Sequence, residues 1–337
     1  MNFAPQNTTK HVAVKSKHAS RMTLANIRRG TSERPVRLLV YGGEKIGKST
    51  FASGAPGAVW LGQDSGTEHL SIARLPQPRE WREVLDAITE VEVNGAANGI
   101  QTLVLDPINW FEPLIHLEVT GDLAVSLEKF DGGYGRGNSA ALGHWRRLLV
   151  GLARVWEAGI NVVLIAHSQS RKFEDPEGEG YERYELAMSP KPAGLLKQWV
   201  DAILLAKRDA YGKKKDGGAR AKAYGTSAVM LHTEWAPAYD AGNRYGLPQT
   251  LPMSWRAFDE ARVVGRDRTA KLRAQIAEGL AELADPALSA KVDAYMADPT
   301  IPLVEIANAV AEQLGERRKQ RGEGAAETAE KDEEKSQ

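Results

Sequence analysis

The residues with the clearest chemical potential are Gly42-Gly43-Glu44-Lys45-Ile46-Gly47-Lys48-Ser49-Thr50, a run of the form G-x-x-x-x-G-K-[ST]. Glycines let successive backbone N–H groups turn inward around phosphate oxygens, and a helix that follows points its positive end at them. Lys48 then brings a point charge to the β- and γ-phosphates, and the Ser49 hydroxyl is a ligand for Mg2+. All nine residues are expected to line a cradle for the phosphates of ATP.

That chemistry constrains the elements around it. A strand must deliver the chain to the first glycine, and Arg37-Leu38-Leu39-Val40-Tyr41 has the composition of one. An acid at the tip of another apolar strand must hold the magnesium through water, and Gln101-Thr102-Leu103-Val104-Leu105-Asp106 ends on Asp106. Asp64 follows a third run, Val59-Trp60-Leu61-Gly62-Gln63. On the strand beside the magnesium strand, such an acid orients or deprotonates the attacking water. Glu68 is the alternative, and a plain turn carboxylate is the third reading. The run from Ile160 to Ala166 ends at His167. On a strand between the phosphate-loop and magnesium strands, His167 would reach the γ-phosphate and report its presence.

Short aliphatic runs at Val36 to Tyr41, Ala58 to Leu61, Thr102 to Asp106, Ile160 to Ala166 and Ala202 to Ala206 alternate with amphipathic stretches, clearest at 81–92 and 141–158. Near-continuous apolar strands with crossover helices between them predict an α/β class, doubly wound, with a mostly parallel sheet. The glycine- and lysine-rich stretch from Tyr211 to Gly225, with Thr226 to Glu234 after it, reads as a hairpin appended to the sheet edge. Helical periodicity returns in Thr269 to Leu283, Pro286 to Met296 and Leu303 to Gln320, as a small C-terminal helical unit. The expected divisions are a basic arm over 1–34, a nucleotide-binding core over 35–262, the helical unit over 263–320, and an acidic tail without regular structure over 321–337.

Of the 337 residues, 42% are hydrophobic and 26% charged, which excludes fibrous and wholly disordered classes. Lys plus Arg and Asp plus Glu both total 44, so a nucleic-acid contact must come from local patches. There is no cysteine, which excludes thiolate metal sites and cysteine nucleophiles. No apolar run approaches the ~20 residues that span a bilayer. A cytoplasmic protein is the expectation.

Two charged connections are expected to leave the sheet at its phosphate-binding end. One is Phe130-Asp131-Gly132-Gly133-Tyr134-Gly135-Arg136-Gly137-Asn138; the other runs from Ser168 through Arg171, Lys172, Phe173, Tyr181, Arg183 and Tyr184 to Pro190. Cations beside aromatics on flexible backbone suit single strands, because charges track phosphates and rings stack on bases. Tyr134, Arg136, Arg171, Lys172, Phe173 and Arg183 are the candidate contacts, set against the acids Glu174, Asp175, Glu177, Glu179, Glu182 and Glu185 in the second connection.

Taken together, these residues resemble the phage-encoded RecA-like ATPases of the Sak-type single-strand annealing and recombination group, within the phage nucleotide-binding AAA proteins. The resemblance is carried by Arg34-Pro35, the loop from Gly42 to Thr50, Ala55-Pro56, Asp64-Ser65-Gly66, Leu105-Asp106, Gly133 to Gly137, Ala166-His167-Ser168, Phe173 to Pro176, Tyr181 to Tyr184, Trp199-Val200-Asp201 and Ala241 to Pro248. It implies an ATPase core that assembles on single-stranded DNA as a ring or filament, with a single-strand-binding protein as a further partner. It also implies a nucleotide-sensing role for His167, and places Asp64 where such proteins usually have a catalytic glutamate. The segment Gly242-Asn243-Arg244 resembles the stretch whose cations reach the ATP of a neighbouring subunit. Gly242 replaces a common lysine there, which leaves Arg244 as the candidate finger; a plain surface turn is the other reading.

The leading expectation is thus a DNA-stimulated, Mg2+-dependent ATPase that promotes annealing or strand exchange. A nucleotide-gated loader, helicase-like or packaging accessory protein acting on a protein partner is the alternative. A small-molecule kinase is disfavoured, because no compact arginine-rich lid is visible.

Overall fold

The computed structural model describes residues 34–63, 67–174, 178–214, 221–298 and 301–334, with backbone alone at 209–214, 221–226 and 320–334. In chain order, β1 (Arg37–Gly42) leads through the glycine loop to α1 (Lys48–Ser53), then β2 (Ala58–Gly62), β3 (Ala73–Arg74), α2 (Trp81–Asn94), β4 (Thr102–Asp106) and α3 (Phe111–Thr120). There follow α4 (Arg136–Glu157), β5 (Asn161–Phe173), β6 (Tyr181–Leu186), α5 (Pro190–Trp199), β7 (Ala202–Lys214), β8 (Ala221–His232), β9 (Gly242–Asn243) and β10 (Thr250–Pro252). Three helices complete the chain: α6 (Trp255–Leu283), α7 (Pro286–Ala297) and α8 (Leu303–Glu334).

The strands form one mixed sheet in the order β10-β8-β7-β1-β5-β4-β2-β3, with β6 paired to β5 and β9 to β7. Strands β1, β2, β3, β4, β5 and β7 are parallel, as the apolar runs predict. Side chains alternate across a strand, so β1 feeds two cores. Leu39 and Tyr41 join Trp81, Phe111, Trp145 and Leu148 on one face; Leu38 and Val40 join Phe51, Trp255 and Phe258 on the other. Covered on both faces, these strands have no solvent side and hence no polar alternation.

Several expectations are corrected. The second charged connection is a ribbon: β5 continues past His167 to Phe173 and pairs antiparallel with β6, Arg171 opposite Arg183 and Phe173 opposite Tyr181. In the first connection, α4 already begins at Arg136. The hairpin β7–β8 is built from a sheet strand, since β7 pairs with β1 before running on to Lys214. The boundary expected at 262/263 falls inside α6, whose first turns place Trp255 and Phe258 in the sheet's core while Ile276 and Leu283 belong to a separate cluster with Val292, Ile306 and Val310. The backbone of α8 is helical to Glu334, across the tail expected to lack regular structure. The alanines and glutamates there are strong helix formers, with no proline to stop them.

Candidate functional site

Strands β1, β4 and β2 end, and β5 passes, at one edge of the sheet, where Lys48, Ser49, Asp106 and His167 gather. Gly42 is level with His167 of β5 and with Ala206 of β7. A Cβ on Gly42 would stand well inside contact distance of the Ala206 carbonyl oxygen, so only glycine lets β1 pass β7 at this point. Gly47 has φ 105°, a left-handed conformation that turns the loop into α1 at Lys48. Lys45 adopts the same region, with φ 56°.

Lys48 is buried, and its Nζ donates to the carbonyl oxygens of Gly43 at 2.6 Å and Gly42 at 3.0 Å. The loop therefore holds its own lysine inside the curl. Burial lowers the Lys48 ammonium below its ordinary value, with the charges of Asp106 and Glu44 opposing. An ammonium that has lost water and whose hydrogen bonds go to carbonyl oxygens is poised for a stronger anionic partner.

Ser49 Oγ donates to Asp106 Oδ2 at 2.6 Å, joining the loop to the tip of β4. Asp106 is 8% exposed. Burial pushes its carboxyl above the ordinary range, opposed first by the Ser49 hydrogen bond and more weakly by the Lys48 charge. Among the described residues no group of three or more His, Asp or Glu side chains could hold a metal ion. One hydroxyl and one buried, under-compensated carboxylate fit a cation that takes its other ligands from phosphate and water, as Mg2+ does.

His167 closes the other side. Its backbone N–H donates to Asn109 Oδ1 at 3.2 Å, and its Nδ1 is buried without a hydrogen-bond partner. Burial and then the Lys48 charge lower its pKa, so the ring is neutral at pH 7. These groups line a cavity of about 480 Å³ with Glu44, Lys45, Gly47, Thr50, Gln63, Thr67, His69 and Pro107. Ile46 packs against the sheet's core instead. Gln63, Thr67, His69 and the positioning amide of Asn109 were not among the expected residues; Asn109 reaches a backbone group 58 residues away, which leaves no local signature. Glu68 is exposed and does not line the cavity. Asp64 lies outside the described residues. A larger cavity of about 770 Å³ opens beyond Asn109, between α3, α4 and the start of α5. Ile115, Leu123, Leu127, Leu142 and Trp145 are among its lining residues, and no loop glycine is.

The candidate strand-binding residues divide. Tyr134 is 99% exposed, on backbone of φ 52°. Arg136 is exposed and bonds the carboxylate and carbonyl of Asp131. On the β5–β6 ribbon, Lys172 is exposed and Arg171 lies 3.9 Å from Glu185. The Phe173 ring lies 5.3 Å from that of Tyr181, tilted by 44°. Arg183 departs from expectation: it is 12% exposed, ion-paired to Asp240 and set over the Phe173 ring. Asp240 also accepts from Lys197, and its carbonyl from Tyr41 Oη at 2.6 Å, so Arg183 pins the ribbon to the core. Arg244 lies far from the cavity, at the level of Arg37 at the start of β1, bound to Asp201.

A family model described as an AAA domain matches residues 34–245, which includes the cradle, Asp106, His167 and Arg244. Among solved structures, that of the RadB recombinase is similar at a TM-score of 0.36 and 12% identity, over 66% of this chain and 90% of that one. No curated protein matches the chain.

Proposed function

Given that the chain belongs to the AAA domain family and has the mostly parallel α/β core of a RecA-like P-loop NTPase, we propose that it is an Mg2+-dependent ATPase. In this reading it assembles on single-stranded DNA and promotes annealing or strand exchange, as the Sak-type phage proteins it resembles do. The observation that carries this is the course of β5. The strand that brings His167 to the nucleotide cavity runs on, without a break, into the ribbon that carries Arg171, Lys172 and Phe173. A γ-phosphate beside His167 and a polynucleotide on the ribbon would then bias one rigid element, which is the physical content of coupling between two sites.

Within the cavity, the loop N–H groups and Lys48 bind and orient the phosphates. Ser49 and Asp106 would hold a magnesium ion, which when bound would supply charge neutralisation to the phosphates. His167, neutral and with a free ring nitrogen, accepts or donates a hydrogen bond at the γ-phosphate. Asp64, two residues beyond the last residue of β2 in the sequence, is the proposed base for the attacking water. Arg244 serves the nucleotide of an adjacent copy.

A second ribbon supports the DNA reading. Beyond Ala206, which is level with Gly42, β7 and β8 continue to Lys214 and Ala221, with Tyr211 opposite Tyr224 and Lys213 opposite Lys222. From Lys207 to Lys222 the sequence holds seven lysines and arginines against two aspartates, a composition suited to a polyanion.

Fluorescence anisotropy with a labelled oligonucleotide tests the proposal. Binding tight with a non-hydrolysable ATP analogue, weaker with ADP, and falling steeply with salt is expected. Affinity indifferent to nucleotide would contradict it.

A further inference from the structure

We infer that Asp201 and Arg37 are positioning residues for Arg244, which they hold in the orientation that meets a neighbouring subunit's nucleotide. The inference rests on the reading that Arg244 acts across a subunit boundary, and it begins from where Arg244 stands. Its backbone N–H bonds the Asp201 carbonyl at 3.0 Å, and the Asp201 N–H bonds the Arg37 carbonyl at 2.8 Å. Arg244 is thus level with the first residue of β1, while the cradle begins at Gly42, the last. At ~3.3 Å per residue that is about 16 Å along the strand, beyond the reach of an arginine side chain. If Arg244 contacts a nucleotide, it is one held by another copy.

The side chains around it form a graded stack. Arg37 grips Asp201 with two parallel bonds, Nε to Oδ2 at 2.9 Å and Nη2 to Oδ1 at 2.6 Å. The Arg37 guanidinium is stationed 4.5 Å from the ring centre of Trp156 and 5.3 Å from that of Trp199. Trp156 is itself fixed by a 2.6 Å bond from Nε1 to the Pro35 carbonyl. Arg37 and Asp201 are 19% and 14% exposed, whereas Arg244 is 65% exposed and touches Asp201 Oδ1 through Nη1 at 2.9 Å.

Charge counting decides what this arrangement is for. The fork between Arg37 and Asp201 already neutralises the carboxylate, in the geometry that makes such pairs strong. Arg244 adds a second guanidinium to one carboxylate, so the cluster carries a surplus positive charge on its solvent side. For stability alone, an exposed third member contributes little. For an arginine that must meet an anion across an interface, one anchored nitrogen fixes the direction of the side chain and leaves the other donors for the incoming phosphate. Ordering it beforehand removes that cost from the encounter.

Mixed assemblies separate this from a structural role. Asp201→Asn should lower ATP turnover by about 10-fold or more, and Arg244→Ala by more, as expected for trans-acting arginines. ATP affinity of the isolated subunit should stay unchanged in both. Mixed 1:1 with Lys48→Ala, whose cradle is disabled and whose Arg244 is intact, each should recover activity. Random mixing sets an intact cradle against an intact arginine at about one interface in four. Arg37→Lys, which keeps the charge and loses the fork, is the second arm and should behave as Asp201→Asn does. Recovery with Arg244→Ala but with neither Asp201→Asn nor Arg37→Lys would overturn the positioning role and leave the reading of Arg244 standing. No recovery with Arg244→Ala would overturn that reading, and this inference with it.

Discussion

Ser49 Oγ and Asp106 Oδ2 meet at 2.6 Å although 57 residues separate them in the chain, and β5 lies between the strands that deliver them. The contact closes the cradle against the tip of β4. It also leaves a buried carboxylate whose carboxyl is pushed upward by its surroundings, so the folded chain carries an electrostatic cost that a bound cation offsets.

Removing that charge should separate function from stability. Asp106→Asn is expected to lower ATP turnover by about 100-fold, the scale on which a charge-stabilising group contributes, and to raise the Mg2+ concentration needed for half activity. Its melting temperature should be unchanged or higher, because the desolvation cost of the carboxylate is gone. A lower melting temperature with turnover retained would contradict the assignment.

The loop glycines are predicted to differ. Gly42→Ala drives a methyl into the Ala206 carbonyl and must displace β7, whereas a Cβ at Gly43 meets nothing within 4 Å. We expect Gly42→Ala to cost about 1–3 kcal/mol, the range for overpacking, and Gly43→Ala to cost far less. Denaturant midpoints of the two variants check this.

His167 should leave a mark on the pH dependence of stability. Its pKa in the folded chain lies below the ordinary 6.5 because of burial and then the Lys48 charge. Unfolding therefore takes up a proton, so stability is full above 6.5 and is lost as pH falls through the folded value. Between about pH 7.5 and pH 5.5 the melting temperature of His167→Gln should fall less than that of the parent. His144, lowered mainly by burial, should give a parallel reduction when replaced, and the double variant the sum. An unchanged slope for His167→Gln would contradict its buried, neutral state.

On the β5–β6 ribbon, position separates binding from anchoring. Replacing Arg171 and Lys172 by glutamate should weaken single-strand binding and reduce the slope of log affinity against log salt by about 0.7 per lost contact. Arg183→Ala should lower the melting temperature instead, since Arg183 is spent on Asp240. If Arg183→Ala reduced the salt slope at unchanged stability, the two roles would be reversed.

The central strands were legible because burial on both faces writes itself as an unbroken apolar run; β4 occupies Thr102–Asp106 as the sequence indicates. The extension of β5 was not legible. Ser168 to Phe173 is a ribbon with partly exposed faces, so it lacks the apolar alternation that marks a half-buried strand, and its pairing depends on β6. The early start of α6 was hidden for a related reason: Trp255 and Phe258 are interleaved with Arg256, Asp259 and Glu260, and their burial depends on Phe51 across the sheet's face. In the site, the phosphate loop and Asp106 follow from local chemistry. The pairing of Arg183 with Asp240, and of Arg244 with Asp201, depends on long-range topology that no spacing records.

ATP hydrolysis by the parent and by Lys48→Ala, with and without single-stranded DNA, is the decisive measurement. Turnover by the parent should rise when DNA is added, and Lys48→Ala should show none above background in either condition. A parent that neither binds nor hydrolyses ATP with magnesium present, or a Lys48→Ala variant as active as the parent, would contradict the ATPase reading.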